Sequence, residues 1–470
     1  MIKFGTGGWR ALIGEEFIKD NILLVAQAVA NMMHEESVVE KGIVIGYDRR
    51  FLSDKAARWV SEVMAGNGIH VQLINKISPT PLIMYYAKMH ENDYGMAVTA
   101  SHNPADYNGI KIFTKGGRDA TEAVTERVET LISTLTAENI KTVEYSKALA
   151  EGLISEVNPF NDYIDTILGM LNVEAIREKG LKILVDPMFG VSKNSLQALL
   201  ISCRCEVDVI NERHDTTFGG RMPSPSALTL SQLSNMVVEK SYDIGIGTDG
   251  DADRLGIIDE KGHYIHPNDI MALLYYYLLK YKGWQGPVVR NIATTHLLDA
   301  IAKAFGAECH EVPVGFKHIS SKMEETDAVI GGESSGGLTI RGHIKGKDGI
   351  FAAGLLVEMM SVTGKRLAEM LDEIHEQFGD FVMTEGDYRF SHEKKEALIH
   401  LLFEERKLPE FGILVSRVSY EDGVKVYFEN GGWIIARFSG TEPLIRVFTE
   451  MSTEQEAKEI SCIMKTFLGL

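Results

Sequence analysis

Short apolar runs rich in β-branched residues alternate, three times over and in the same order, with longer segments whose apolar positions recur at helical spacing. In the first copy Ile43 to Tyr47 reads as a strand, Asp54 to Ala65 as a helix and Ile69 to Ile74 as a second strand. The second copy runs from Lys182 to Val185, through Asp186-Pro187 to a helix near Ser192 to Leu200, and ends at Glu206 to Ile210. The third has Val288 to Asn291, a helix from Thr295 to Phe305, and Cys309 to Val312. A unit repeated in this way predicts an α/β protein with three similar domains built on mixed sheets.

Past each unit comes a further apolar strand that runs into a polar loop: Tyr94 to Val98 into TASHNP, Tyr242 to Gly247 into TDGDADR, and Ala328 to Ile330 into GGESSGG. Ligands of open α/β sheets gather beyond the carboxyl ends of the strands, so the three loops are expected to meet in one central cleft. After about residue 370 the pattern changes to an amphipathic helix, Lys365 to Phe378, followed by strands that include Val424 to Phe428 and Trp433 to Phe438. This predicts a C-terminal α+β domain that delivers a fourth loop, RFSGTEP, into the same cleft. The expected divisions are 1–155, 156–255, 256–368 and 369–470. Asn21 to Met33, apolar but interrupted by Asn21, Gln27 and Asn31, reads as a helix facing the core.

Composition narrows the class. The 470 residues are 45% apolar and 24% charged, as in soluble globular enzymes, and exceed what one compact core holds. A net charge of −18 argues against a nucleic-acid partner, which would demand clustered Lys and Arg. Cys203, Cys205, Cys309 and Cys462 lack paired CxxC spacing and read as reduced cytosolic thiols. With no secretion signal and no apolar run of membrane-spanning length, a cytoplasmic protein without a membrane partner is expected.

Each loop suggests its own chemistry. Ser101 sits between Ala100 and His102 where Pro104 and Gly109 turn the chain, a setting for an exposed hydroxyl that needs activation or prior phosphorylation to react; a plain turn is the bland alternative. Asp249, Asp251 and Asp253 alternate with small residues. On a straight strand they would lie about 6.6 Å apart, so the loop must curl to bring them onto one ion. An all-oxygen set favours a hard cation, and a set this short suits Mg²⁺ completed by a phosphate oxygen. An EF-hand competes on spacing, with Glu260 at its last position, but Arg254 stands where that loop needs Gly. Glu333, Ser334 and Ser335 among four glycines suit a polyol, or form an ordinary glycine-rich turn. Arg341, His343, Lys345 and Lys347 beside Asp348 read, on composition, as a solvated charged face. Arg437, Ser439, Gly440 and Thr441, with Arg446 on the next strand, offer donors suited to phosphate.

Taken in order, FGTGGWR (Phe4 to Arg10), TASHNP, DGDADR, GGESSGG and RFSGTEP resemble the motifs of the α-D-phosphohexomutase family over essentially the whole chain. The resemblance implies an isomerase in which Ser101 carries a phosphoryl group and Asp249, Asp251 and Asp253 hold Mg²⁺ together with an oxygen of that phosphoserine. Arg10, Lys111, Arg254 and His102 would stand near the transferring group. Lys317, Glu333, Ser335 and Lys347 would meet the sugar, and Arg437, Ser439, Gly440, Thr441 and Arg446 the phosphate that does not react. A small sugar phosphate would be the partner, with glucose 1,6-bisphosphate or the matching hexose bisphosphate as activator. His102, Lys317, His343 and Lys347 all remain candidates for the general base. Gly337 stands where relatives acting on mannose or glucosamine phosphates often have His, which favours glucose; Phe438 and Ser334 are further departures from the common pattern. A phosphomannomutase, a phosphoglucosamine mutase and an inactive sugar-phosphate sensor are the alternatives.

Overall fold

A strand covered by helices on both faces needs apolar side chains at successive positions, and this is why the unalternating runs Tyr94–Val98 and Ile244–Thr248 are wholly buried. The structure, a computed structural model, describes residues 2–5, 7–438 and 444–470.

Four sheets form among the described residues. In the first, Ile43–Tyr47 pairs in parallel with Val71–Ile74 on one side and Tyr94–Val98 on the other, and Tyr107–Thr114 returns antiparallel beside Tyr94–Val98. Gly8–Leu12, Phe4–Gly5, Ile154–Val157 and the short Arg118–Asp119 complete it. The second sheet repeats the scheme with Lys182–Asp186 between Glu206–Val209 and Ile244–Thr248, and Leu255–Ile258 returning. It continues through Tyr264–Ile265, past the expected division at 255, because Leu255–Ile258 turns straight back along the strand it follows. The third has Val288–Asn291 between Cys309–Val312 and Ile330–Gly332, with Leu338–Ile340 returning. The fourth is antiparallel throughout, in the order Val382–Arg389, Leu444–Met451, Trp433–Phe438, Val424–Phe428, Val415–Ser419.

Helix Lys19–Glu35 shows how an apolar face tolerates a polar residue. Gln27 is buried among Val25, Ala26 and Val29, and its amide donates to Asn31 Oδ1 (2.8 Å) and Asn67 Oδ1 (2.9 Å) while its carbonyl accepts from the Lys141 N–H (3.0 Å). Among the described residues no helix is long and apolar enough to cross a membrane.

One apolar core runs unbroken from Leu82–Ala87 in the first domain through both following sheets to Ile374. The fourth sheet keeps a core of its own and meets the third domain through a small patch, Ile292, Ala293, Tyr427, Trp433 and Ile435, and a polar network. Lys425, fully buried, donates to Ile292 O (2.6 Å), Glu311 Oε2 (2.7 Å) and His296 Nε2 (3.2 Å). Tyr427 and Arg290 also donate to Glu311. Burial and the neighbouring Arg290 push His296 down to about 4, and burial pushes Lys425 down to about 7.

Lys425→Ala leaves Glu311 without one of its buried cations and should destabilise the protein by about 3 kcal/mol in chemical denaturation. His296 carries a folded pKa below its ordinary 6.5, so on acidification the unfolded chain takes up that proton first. The contribution of His296 is therefore full above pH 6.5 and falls as pH drops toward 4, with wild type losing about 1.4 kcal/mol per pH unit more than His296→Gln across that window.

Candidate active site

In each of the first three domains the reactive loop links the third strand to its antiparallel return, so hydrogen bonds pinch it at the base and aim its tip outward. In the first loop the Thr99 hydroxyl donates to Asp48 Oδ2 (2.6 Å) and accepts from the Ser101 N–H (2.9 Å). Ser101 adopts φ 51°, left-handed for a non-glycine residue. Its hydroxyl donates to Asp249 Oδ2 (2.8 Å), across 148 residues of sequence, and lies 3.4 Å from His102 Nδ1. The approach depends on Gly250, where a Cβ would stand 2.6 Å from the Ser101 carbonyl oxygen.

The second loop curls as its spacing requires. Asp249, Asp251 and Asp253 are buried, with one oxygen of each within 4.8 Å of the others. Lys111 donates to Asp251 Oδ2 and Asp253 Oδ2 (2.7 Å each), Lys347 lies 3.0 Å from Asp253 Oδ2, and the Arg254 N–H donates to Asp249 Oδ1 (3.0 Å). Asp251 Oδ1 and Asp253 Oδ1 are buried and accept no hydrogen bond, so two anionic oxygens and the Asp249 carboxylate fit a hard divalent cation. The flanks are strands, Ile244–Thr248 and Leu255–Ile258, which excludes the EF-hand.

Electrostatics divide the three carboxyls. Burial, with Asp251 and Asp253 close by, pushes Asp249 well up; at Asp253 burial is outweighed by Lys111, Lys347 and Arg254, which hold it well below the usual range. Asp251 is lowered too, with Lys111 and the Thr80 hydroxyl overcoming burial and Asp253. The two aspartates raise Lys111 despite its burial, so it stays charged. Burial and the nearby Arg254, Arg10 and Lys347 push His102 well down, leaving a neutral imidazole beside the serine. Arg10 donates to Asn103 Oδ1 (2.6 Å) on the serine loop.

In the third loop Glu333 Oε1 accepts from the Gly315 N–H (3.0 Å) and Asn291 Nδ2 (3.3 Å), Ser335 is exposed, and Lys317 Nζ lies 3.3 Å from Glu122 Oε2. Lys347 crosses this loop so tightly that a Cβ at Gly337 would meet its Cδ at 2.1 Å. In the charged segment that follows, Arg341 and Lys345 pair with Asp327 and Glu324 at the surface, as a solvated face would, but His343 does not. His343 is buried with Nε2 2.6 Å from Asp348 Oδ2, an oxygen that also accepts from the Tyr163 hydroxyl, while Asp348 Oδ1 caps helix Gly349–Thr363. Held there, His343 is a structural group and not a base facing the cleft.

In the fourth domain Arg437 and Arg446 face each other across paired strands. Arg437 Nε donates to Asp422 Oδ1 (2.6 Å), whose other oxygen accepts from the Val314 N–H of the third domain (2.7 Å); Arg446 lies 3.4 Å from Asp387. Ser439, Gly440 and Thr441 lie outside the described residues. Sequence reading missed Thr80, which donates from its hydroxyl to Asp251 Oδ2 (2.7 Å) and from its N–H to Asp251 O (3.0 Å), and it missed Asp422. Only the Pro79-Thr80-Pro81 start of helix Thr80–Met89 and the Asp422-Gly423 turn hinted at either.

Models described as phosphoglucomutase/phosphomannomutase match the chain in four parts: alpha/beta/alpha domain I over residues 1–139, domain II over 161–262, domain III over 266–378, and the C-terminal domain over 394–462. A phosphoglucomutase/phosphomannomutase of Thermococcus kodakarensis is 31% identical over 97% of this chain and 96% of its own. A phosphoglucosamine/phosphogalactosamine mutase of Sulfurisphaera tokodaii is 27% identical over 97% of each. The crystal structure of a protein described as a putative phosphomannomutase from Thermus thermophilus superposes with a TM-score of 0.86 at 26% identity, covering 100% of this chain and 99% of that one.

A divalent cation, with Mg²⁺ as the probe, should raise stability against denaturant, by about 2.7 kcal/mol at a hundredfold excess over its dissociation constant. Asp251→Asn or Asp253→Asn should abolish most of that gain, and an unchanged wild-type midpoint would rule the cation site out.

Proposed function

This chain belongs to the phosphoglucomutase/phosphomannomutase family and is an isomerase of the phosphohexomutase type, and we propose that it interconverts hexose 1-phosphate and hexose 6-phosphate through phosphorylated Ser101. The observation that carries this reading is the Ser101 hydroxyl bonded at 2.8 Å to one of three clustered carboxylates, two of which keep an unpartnered oxygen.

Asp249, Asp251, Asp253 and the phosphorylated Ser101 would hold Mg²⁺. The bound ion supplies charge neutralisation that lets a hydroxyl approach an anionic phosphoryl group. The chain's own residues do the rest. The free hydroxyl of a hexose monophosphate forms a bond to phosphorus while the bond to Ser101 Oγ breaks, its proton passes to a base, and Ser101 is left to recover a proton. Neutral His102, 3.4 Å from that oxygen, would accept the Ser101 proton in the return transfer and give it back to Oγ when the phosphoryl group next leaves. Lys111, Arg10 and Arg254 surround the same point with positive charge, in keeping with a reaction that depends on positioning and electrostatics. The bisphosphate then turns end for end and returns its other phosphoryl group to Ser101. During both halves Glu333 and Ser335 accept from sugar hydroxyls, Lys317 and Lys347 donate, and Arg437, Arg446 and the loop from Ser439 through Gly440 to Thr441 hold the idle phosphate.

Glucose is the sugar proposed first, because the aliphatic chain of Lys347 lies over Gly337, where relatives acting on mannose or glucosamine phosphates often have His. The Sulfurisphaera relative, described as a phosphoglucosamine/phosphogalactosamine mutase, favours a 2-amino sugar as the second reading.

The test follows conversion of glucose 1-phosphate, mannose 1-phosphate and glucosamine 1-phosphate with Mg²⁺ and a trace of the matching bisphosphate. Glucose 1-phosphate should give the highest kcat/KM, and Ser101→Ala should lower every rate by more than about 1,000-fold. Wild-type rates in Ser101→Ala would overturn the phosphoserine route; a clear preference for glucosamine 1-phosphate would replace the first sugar by the second.

A further inference from the structure

Arg50 lies just beyond strand Ile43–Tyr47, is 3% exposed, and belongs to no motif read from the sequence. Its guanidinium closes on the serine loop from below. Nη2 donates to the carbonyl oxygens of Ser101 (2.7 Å) and Asn103 (2.6 Å), and Nη1 to those of Pro104 (2.7 Å) and Tyr107 (3.0 Å). Asp48 completes the arrangement. One of its oxygens lies 3.4 Å from Arg50 Nε and accepts from Thr99, and the other accepts from the Arg50 N–H (2.9 Å) and the Ser53 hydroxyl (2.8 Å). From the second domain the Phe218 ring covers the guanidinium at 4.8 Å.

We propose that Arg50 is a positioning residue for phosphoryl transfer, its four-carbonyl clamp fixing the backbone at Ser101 and thereby the direction of Oγ. Four carbonyls converging from one loop need a planar donor with several N–H groups in fixed directions; the single ammonium of a lysine cannot reproduce that fork. The clamp also offsets a backbone cost, since the left-handed conformation at Ser101 disfavours a residue with a Cβ and persists only where its surroundings over-determine it. Arg50 grips Ser101 O while Gly250 packs close enough beside it that a Cβ there would clash, which restrains the carbonyl and with it Cβ and Oγ. Without the clamp the loop keeps Thr99 and its strands but loses the anchor on four of its carbonyls. Oγ then samples directions away from Asp249. A displacement of about 1 Å at a reacting atom costs about 100-fold in rate, which sets the scale expected here.

The inference rests on the reading that Ser101 carries the transferred group, and the experiment separates the two. Arg50→Gly, Arg50→Lys and Ser101→Ala are compared with wild type for kcat, KM, circular dichroism and phosphate on Ser101 by intact mass after exposure to hexose bisphosphate. Arg50→Gly should lose about 100-fold in kcat with KM for the monophosphate within about threefold, and guanidinium ion below its denaturing range should restore a large part of kcat without changing KM. Arg50→Lys should stay folded and remain slow, unmoved by guanidinium. Loss of kcat and KM together without rescue would mark a merely structural residue and overturn the proposal, as would wild-type kcat in Arg50→Lys. If Arg50→Gly fails to fold, Arg50→Lys decides alone. Wild-type activity in Ser101→Ala would instead remove the phosphoserine reading, and the role of Arg50 with it.

Discussion

Asp249, Asp251 and Asp253 are each no more than 2% exposed, with oxygens inside 4.8 Å of one another. Two such charges about 5 Å apart repel by about 3 kcal/mol even at an effective dielectric of 20, so the loop needs compensation from elsewhere in the chain. It comes from three directions. Lys111 on strand Tyr107–Thr114 reaches two of the carboxylates, Thr80 fixes Asp251 from the start of a helix, and Lys347 arrives from the third domain. Satisfying one acidic loop thus requires the first three domains to be packed in one arrangement, and the apolar core that runs unbroken through them supplies it. The lysines cover one oxygen each of Asp251 and Asp253 and leave the other bare, so the same contacts that make the loop tolerable without a cation keep it ready for one.

The fourth domain is joined on different terms. Its core is separate, and its contact with the third domain consists of a few apolar residues and the buried network around Lys425 and Glu311. Contacts of this smaller, more polar kind are where domains move against each other. The domain joined this way is the one that carries Arg437 and Arg446. Asp422 spans the same joint, holding Arg437 with one oxygen and the Val314 N–H, just before helix Phe316–Thr326, with the other. Arg437 is therefore engaged at this joint, and one carboxylate links its strand to the backbone of the third domain.

Strands were legible where both faces are buried, since apolar runs such as Ile43–Tyr47 and Val288–Asn291 need no partner to be recognised, and the threefold repeat placed them in order. The return strand of the first domain was not. Tyr107–Thr114 carries Lys111 and Asn108 inward because the loop chemistry needs them there, and buried polar residues hide a strand from any reading of hydropathy. The acidic loop was legible because three alternating aspartates can converge only if the chain curls, and it does. The supports of the reactive loops were not: Asp48, Arg50, Thr80 and Asp422 act through partners 51 to 171 residues away, or through backbone carbonyls that have no signature in sequence. His343 failed for the opposite reason. Its residue type suggested catalysis, and only its contact with Asp348 reveals a buried helix-capping unit.

Gly337 and Lys347 tie the glycine-rich loop of the third domain to the acidic loop of the second. The aliphatic chain of Lys347 fills the space above Gly337 so closely that no side chain at that position leaves it room, and its ammonium then reaches Asp253. A larger residue at position 337 would displace the lysine. Asp253 would lose one of the charges that hold its pKa down, and the loop would lean more heavily on Lys111. The packing of the glycine loop and the charge balance of the acidic loop therefore share one lysine. A substitution that crowds Gly337 also disturbs Asp253, so Gly337 and Lys347 have to be altered together if the acidic loop is to keep its arrangement.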